Sequence, residues 1–253
     1  MTRSTGNPNT HATAPRLFVE GELREAEAIN ASHEQTHYLR TVLRRGSGDP
    51  VRLFNGVDGE WSGRVALQGR DRLSLILENR LRPQQAEAGP WLLFALLKRD
   101  ATDLVVRQAV ELGASRVMPV VTERTNAARV NLDRLRAITI EAAEQSERLT
   151  VPAVEQPMRL ASALAAWPPE RRLFAALERI WPTVPVVGAG PGPAALLVGP
   201  EGGWTQIERD SLRRFDFVTP ISLGPFVLRA ETAAAAGLAL LLGMGWAEYV
   251  SST

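Results

Sequence analysis

The chain contains no cysteine. Disulfides, zinc ribbons, Fe–S clusters and cysteine nucleophiles are therefore excluded. It has a single lysine, Lys98, which follows Leu97 rather than glycine. A P-loop needs a Gly-Lys pair, so no Walker A motif exists, and a Schiff-base or pyridoxal-type enzyme would have to use Lys98. The histidines are His11, His33 and His37, with none beyond them. That excludes HExxH and any Ser-His-Asp triad built within the rest of the chain. No run of 18 apolar residues is present, and the start, MTRSTGNPNTHATAPR, lacks the apolar stretch of a signal peptide. A cytoplasmic location with no membrane span is expected. Charge of one sign is not in excess either: 29 basic residues face 28 acidic ones. Any nucleic-acid surface must then be a local patch.

What is present divides near residue 85. Residues 1–15 read as a disordered tail. Residues 16–82 are strand-like, with Asn55-Gly56 and Asp58-Gly59 supplying the positive φ of tight turns. Within them HEQTHYLRTVLRR (33–45) reads as a helix with Leu39, Val42 and Leu43 on one side. Residues 83–90 (PQQAEAGP) form a proline-bounded linker. From 91 to 250 apolar runs alternate with helical patterns. Strands are expected at 91–97, 117–121, 173–177, 195–198 and 217–223. Helices are expected to Leu112 (capped by Asp100 or Thr102 and closed by Gly113), over 131–148, and over 233–242. This alternation argues for an open α/β sheet preceded by a small β-rich domain.

Two glycine loops stand at strand ends. The first is Val198-Gly199-Pro200-Glu201-Gly202-Gly203-Trp204, with Thr205 and Glu208 spaced as a capping box for a following helix. The second is Ser222-Leu223-Gly224-Pro225, leading into Phe226-Val227-Leu228-Arg229-Ala230-Glu231-Thr232-Ala233. Bare glycine backbone lets a ligand approach closely, and Gly202 is expected to face it. Ligands of open α/β sheets bind at the carboxyl ends of strands. A third glycine-rich stretch, 186–193, resembles a dinucleotide fingerprint. Pro191 and Pro193 interrupt it and a strand follows, so it reads as a Gly/Pro loop, with dinucleotide binding as a minor alternative.

GPEGG followed by LGxxxLRxETA resembles the RsmE family of SPOUT methyltransferases, which methylate N3 of a uridine in 16S ribosomal RNA. Lys98-Arg99-Asp100, Glu111-Leu112-Gly113, Thr122-Glu123-Arg124, the segment EAAEQSER (141–148) and His37-Tyr38-Leu39-Arg40 agree with the family in order, so the likeness spans nearly the whole chain. The resemblance implies a PUA-like RNA-binding domain and a C-terminal α/β domain with a deep trefoil knot, assembled as a homodimer. It also implies S-adenosylmethionine (AdoMet) as cofactor and 16S rRNA, within the small ribosomal subunit, as partner, without a metal. The cofactor residues would be Leu197, Gly199, Pro200, Glu201, Gly202, Gly203, Leu223, Gly224, Leu228, Thr232 and Ala233. Phe226 departs from the arginine usual in the family, and Ala101-Thr102 from its second lysine.

Candidate catalytic residues are Arg229, Glu231 and Glu201. A cation near the uracil oxygens, or a carboxylate that accepts the N3 proton, would ease methyl transfer. Each has a structural alternative: Arg229 and Glu231 could pair with each other, and Glu201 could bond loop N–H groups. RNA contacts are expected from Arg40, Arg44 and Arg45, with Arg52 nearby, and from Lys98, Arg99, Arg124 and Arg148, since arginine binds phosphate bidentately and stacks on bases. The alternative is a solvated helix face. His37 reads as a packing or hydrogen-bonding residue. A catalytically silent RNA-binding protein of the same fold remains the competing function.

Overall fold

The computed structural model describes residues 13–69, 72–125, 129–177, 184–185 and 192–250. Residues 1–12 of the polar tail and most of the 186–193 loop lie outside it. The chain forms two compact units, one of residues up to 86 together with Ala143–Thr150, the other of Glu87–Ala142 and the residues from Val151 onward.

The first unit is a five-stranded sheet. Its strands are β1 (Arg16–Phe18), β2 (Ala28–Asn30), β3 (Pro50–Phe54), β4 (Glu60–Gln68) and β5 (Arg72–Arg82), ordered β1-β3-β4-β5-β2. All described pairs are antiparallel except β1 with β3. The turn between β3 and β4 uses the positive φ of Gly56 (+86°) and Gly59 (+84°). At Gly59 a Cβ would lie 2.2 Å from the Arg82 carbonyl, so glycine is needed there on two counts. The helix α1 (His33–His37) is capped by Ser32 and Gln35, which bond each other's backbone reciprocally. It continues as a π-helical turn, Tyr38–Val42. The extra residue per turn breaks the expected face in part: Leu39 is buried and Leu43 packs against the same core, whereas Val42 is exposed. His37, expected to pack or to hydrogen-bond, is exposed as well.

A buried ionic cluster explains why Ala143–Thr150 belongs to this unit. Glu60 is 2% exposed and accepts from Arg16 Nε and Arg82 Nε, each at 2.6 Å. Arg16 donates further to the carbonyls of Ala143 (2.7 Å) and Arg148, and stacks over the Phe54 ring. Burial pulls the Arg16 pKa down, and the Glu60 carboxylate opposes that shift. Arg52 joins through Glu147 at 2.7 Å. With both charges and the carbonyls satisfied the cluster is tolerated. Removing one partner of such a buried pair costs about 3–5 kcal/mol.

The second unit carries strands β6 (Trp91–Ala95), β7 (Arg116–Val121), β8 (Ala153–Val154), β9 (Met158–Arg159), β10 (Arg172–Ala176), β11 (Val184–Pro185), β12 (Ala194–Val198) and β13 (Val218–Ser222). Its helices are α2 (Arg99–Glu111), α3 (Leu132–Gln145), α4 (Leu160–Ala165), α5 (Gln206–Leu212) and α6 (Ala230–Val250). The strand order is β11-β13-β10-β12-β6-β7-β8, with β9 also on β7, and every described pair is parallel.

A parallel sheet must be covered on both faces, and the alternation of buried side chains shows how. Leu92, Phe94, Phe174, Leu196 and Val198 pack under α2, α3 and α6, while Leu93, Leu173, Ala175, Ala195 and Leu197 pack under α4, α5, Trp167 and Trp204. The alanine-rich start of α6 permits close approach to the sheet. A Cβ at Gly237 would lie 2.6 Å from Leu196 Cδ2. Two expected helix signals are corrected. Helix α2 begins at Arg99, before Asp100 and Thr102, with Lys98 as an N-cap that makes no side-chain bond. Thr102 instead donates its hydroxyl to the Leu97 carbonyl at 3.1 Å. Gly113, at φ +74°, does end the helix.

Candidate cofactor and active site

The loops that follow β12 and β13 meet across the end of β10, which lies between those two strands. Together they enclose a cavity of about 610 Å³ at the carboxyl edge of the sheet, within the size range of small-molecule sites. Its apolar lining includes Leu177, Val198, Ile221 and Leu228, and its charged lining is Glu201, Arg229 and Glu231.

The first loop is folded around Trp204. The indole is 2% exposed and donates Nε1–H to the Ala176 carbonyl at 3.2 Å. Gly199 lies flat against it: a Cβ there would stand 2.6 Å from Trp204 Cε2. Gly203, at φ +69°, closes a turn by donating its N–H to the Pro200 carbonyl at 2.8 Å. Thr205 then caps α5, and Glu208 completes the capping box. The other oxygen of Glu208 accepts from the Glu123 N–H at 2.9 Å, and Arg124 Nη1 donates to the Gly202 carbonyl at 2.9 Å. The turn at 122–125 thus braces the loop from outside the cavity.

The second loop is clipped by Ser222, whose hydroxyl bonds the Gly224 carbonyl at 3.1 Å, with Gly224 at φ +126°. Beyond it Phe226 is 80% exposed and Val227 57%. Arg229 immediately precedes α6 and accepts from the Ala233 N–H through its carbonyl at 2.8 Å. Among the described residues no ion pair or side-chain hydrogen bond joins Arg229, Glu231 or Glu201 to a partner, so both structural alternatives for these side chains go unrealised. A carboxylate in the first turn of α6 is favoured by the helix dipole, whereas a cation at that end is not. Helix physics therefore accounts for Glu231 but gives no reason for Arg229.

Of the cofactor residues expected from sequence, Gly199, Pro200, Glu201, Gly203, Leu223, Gly224, Leu228 and Ala233 line the cavity. Leu197, Gly202 and Thr232 do not. Leu197 points to the opposite sheet face and is buried in the core beside Trp204. Gly202 faces Arg124, whose Cβ would be 3.3 Å from an added Cβ. Thr232 is exposed on the first turn of α6. Sequence reasoning missed Ala176 and Leu177, because nothing local says that β10 ends beside both loops. It also passed over the role of Trp204, although a tryptophan directly after Gly202-Gly203 is a visible anchor.

The arginines divide similarly. Lys98, Arg99 and Arg124 are exposed in the second unit, and Arg44 is exposed in the first, with Arg40 and Arg45 half-buried. Arg148 is corrected: it is 8% exposed and donates to the Thr150 hydroxyl at 3.3 Å, so it belongs to the buried cluster and not to a surface. Arg52 is likewise committed to Glu147 and Glu60. Among the described residues no group of three metal-ligating side chains occurs, and no helix is long and apolar enough to cross a membrane.

Residues 87–242 match the RNA methyltransferase domain family, and residues 32–78 match the RNA methyltransferase PUA domain. The ribosomal RNA small subunit methyltransferase E of Rickettsia conorii is 33% identical over 91% of this chain and 96% of its own. That of Synechocystis is 33% identical over 89% of this chain and 76% of its own. The crystal structure of the Neisseria gonorrhoeae ribosomal RNA small subunit methyltransferase E bound to S-adenosyl methionine superposes with a TM-score of 0.81 at 26% identity, covering 91% of this chain and 97% of that one. With a cavity formed by the same glycine loops that carried the sequence resemblance, and with both units matched in order, the chain belongs to the ribosomal RNA small subunit methyltransferase E family.

Proposed function

We propose that this protein uses S-adenosylmethionine to methylate N3 of a uridine in the 16S rRNA of the small ribosomal subunit. The carrying observation is the cavity of about 610 Å³ whose floor is apolar and whose charged lining, Arg229, Glu201 and Glu231, is left without internal partners. The residues fit the cofactor: glycine backbone at Gly199, Gly203 and Gly224 permits close approach, and Leu177, Val198, Ile221 and Leu228 offer apolar contact for a flat base. When bound, AdoMet supplies an electrophilic methyl group on a sulfonium.

The chain's own residues would supply the rest. Uracil N3–H is a weak acid, and at about 1.4 kcal/mol per pK unit its ionisation near neutral pH costs roughly 3–4 kcal/mol. Arg229 would stabilise the charge that grows on the uracil O2 and O4 as the proton leaves, which favours the transition state over the neutral ground state. Glu201 or Glu231 would accept the proton. The braces at Arg124 and Glu208 would hold the first loop in place, and preorganisation of this kind lowers the cost of alignment. Lys98, Arg99, Arg124, Arg40, Arg44 and Arg45 would contact phosphate. The trefoil knot, a homodimer and a cytoplasmic location belong to the same reading. It is supported by the family match and by the fold shared with the Neisseria gonorrhoeae enzyme.

The test is transfer of labelled methyl from AdoMet to small subunits of a strain lacking this protein, with the product mapped by mass spectrometry. Label at one uridine N3 is expected. Tight AdoMet binding with no transfer to subunit or naked rRNA would favour the silent RNA-binding reading. Thermal stabilisation by NAD in place of AdoMet would favour the dinucleotide reading.

A further inference from the structure

Phe226 is the most exposed large apolar side chain among the described residues, at 80%, and it stands on the lining of the cavity beside Val227. A phenyl ring so exposed has no packing role in the folded chain. Its backbone is nonetheless held: Pro225 restricts the chain before it, and the Ser222 hydroxyl clips Gly224 at 3.1 Å. Three residues on is Arg229, a cation that no neighbouring helix chemistry explains and that has no partner among the described residues. A presented aromatic face with a free guanidinium near it is the chemistry of nucleobase recognition, stacking on the ring face and bonding to the edge.

We propose that Phe226 is the platform on which the target uracil stacks as it enters the cavity, its oxygens turned toward Arg229. The inference rests on the methyl-transfer reading and assigns the substrate half of that site. Chemistry on a base requires it to leave its own stack, and an aromatic surface at the mouth offsets the lost stacking. The cofactor is the less suitable occupant of this ring. The buried lining of Leu177, Val198 and Ile221 already offers it apolar contact, whereas Phe226 faces the solvent from which RNA arrives.

The experiment compares Phe226→Ala, Phe226→Leu and Phe226→Tyr with the wild-type full-length protein. Single-turnover methylation of 16S rRNA is followed against RNA concentration at saturating AdoMet. Stacking on an aromatic is worth about 1–3 kcal/mol per base, which at about 1.4 kcal/mol per tenfold is roughly 5- to 150-fold. Phe226→Ala should raise the half-saturating RNA concentration by that factor and leave AdoMet affinity and melting temperature unchanged. Phe226→Tyr should restore it, and Phe226→Leu, apolar but not planar, should not.

Wild-type behaviour of the leucine variant would overturn stacking, as would an equal loss of AdoMet affinity in the alanine variant. Dissociation of an assembly in Phe226→Ala would show a contact between copies instead. A separate readout is Phe226→Trp, whose added fluorescence should be quenched by a short RNA carrying the target uridine and not by its abasic counterpart. Quenching without any methyl transfer by the wild type would retain the platform and refute the methyltransferase reading. Transfer by the wild type without quenching would do the reverse.

Discussion

Gly199→Ala is the substitution for which the geometry makes the sharpest demand. The new Cβ would stand 2.6 Å from Trp204 Cε2 and 2.7 Å from its Nε1, where ordinary contact begins at 3.4 Å. Either the indole or the loop must withdraw by about 0.8 Å in a region packed at crystal-like density. If the loop yields, the cost is that of overpacking a core, about 1–3 kcal/mol. If the indole yields, it loses the 3.2 Å bond to the Ala176 carbonyl, and a stranded buried carbonyl also costs about 1–3 kcal/mol. At about 2–4 °C per kcal/mol, the melting temperature should fall by about 2–12 °C. Because Gly199 and Trp204 both line the cavity, AdoMet affinity should fall with it. Gly202→Ala is the control. Its Cβ meets Arg124 Cβ at 3.3 Å outside the cavity, its φ is not positive, and its cost should stay within about 0.5 kcal/mol. Calorimetry and AdoMet titration on both variants decide the matter. A wild-type melting point and affinity in Gly199→Ala, or equal losses in the two variants, would refute the reasoning.

Arg229→Ala should cut the single-turnover rate by about 10²–10³, the usual cost of one donor to developing charge, while melting temperature and AdoMet affinity hold. An unchanged rate would remove Arg229 from the chemistry. Arg124→Ala should weaken AdoMet binding severalfold through loss of the bond to the Gly202 carbonyl, a contribution of about 0.5–1.5 kcal/mol, and calorimetric titration reads it directly. Glu147→Gln tests the ionic cluster by pH. The bond from Arg52 holds the Glu147 carboxyl below its ordinary 4.5, so its contribution to stability is present above that value and lost as pH falls through the folded-state pKa. Glu147 is half exposed, so the difference in melting temperature from wild type should be small at pH 7 and should vanish below the carboxylate range. A difference that persists in acid would mean that packing, not charge, is what Glu147 provides.

Local chemistry in the sequence sufficed for the longer strands and helices and for the whereabouts of the site, while the short β8, β9, β11 and α4 went unmarked. Continuous apolar runs bounded by glycine and proline marked β6 and β12. Asn55-Gly56 and Asp58-Gly59 marked the tight turn, Thr205 with Glu208 marked the start of α5, and the two glycine loops marked where a ligand would be held. These signals act over a few residues, through allowed φ, capping bonds and the period of apolar side chains, so they can be read without knowing the fold. Tertiary structure alone decided the rest. Leu197 and Val198 are adjacent and equally apolar, yet only Val198 reaches the cavity, because the register of β12 assigns them to opposite faces. Ala176 and Leu177 enter the site because β10 lies between β12 and β13, a strand order that no local pattern encodes. Gly199 and Gly202 look interchangeable in GPEGG, but one meets an indole and the other an arginine. Arg148 looked like a surface cation until Arg16 and Glu60, distant in the chain, drew its segment into a buried cluster. Apart from the packing of Gly199 on Trp204, five residues further on, the deciding contacts join residues far apart in sequence, and their partners exist only once the strands have paired.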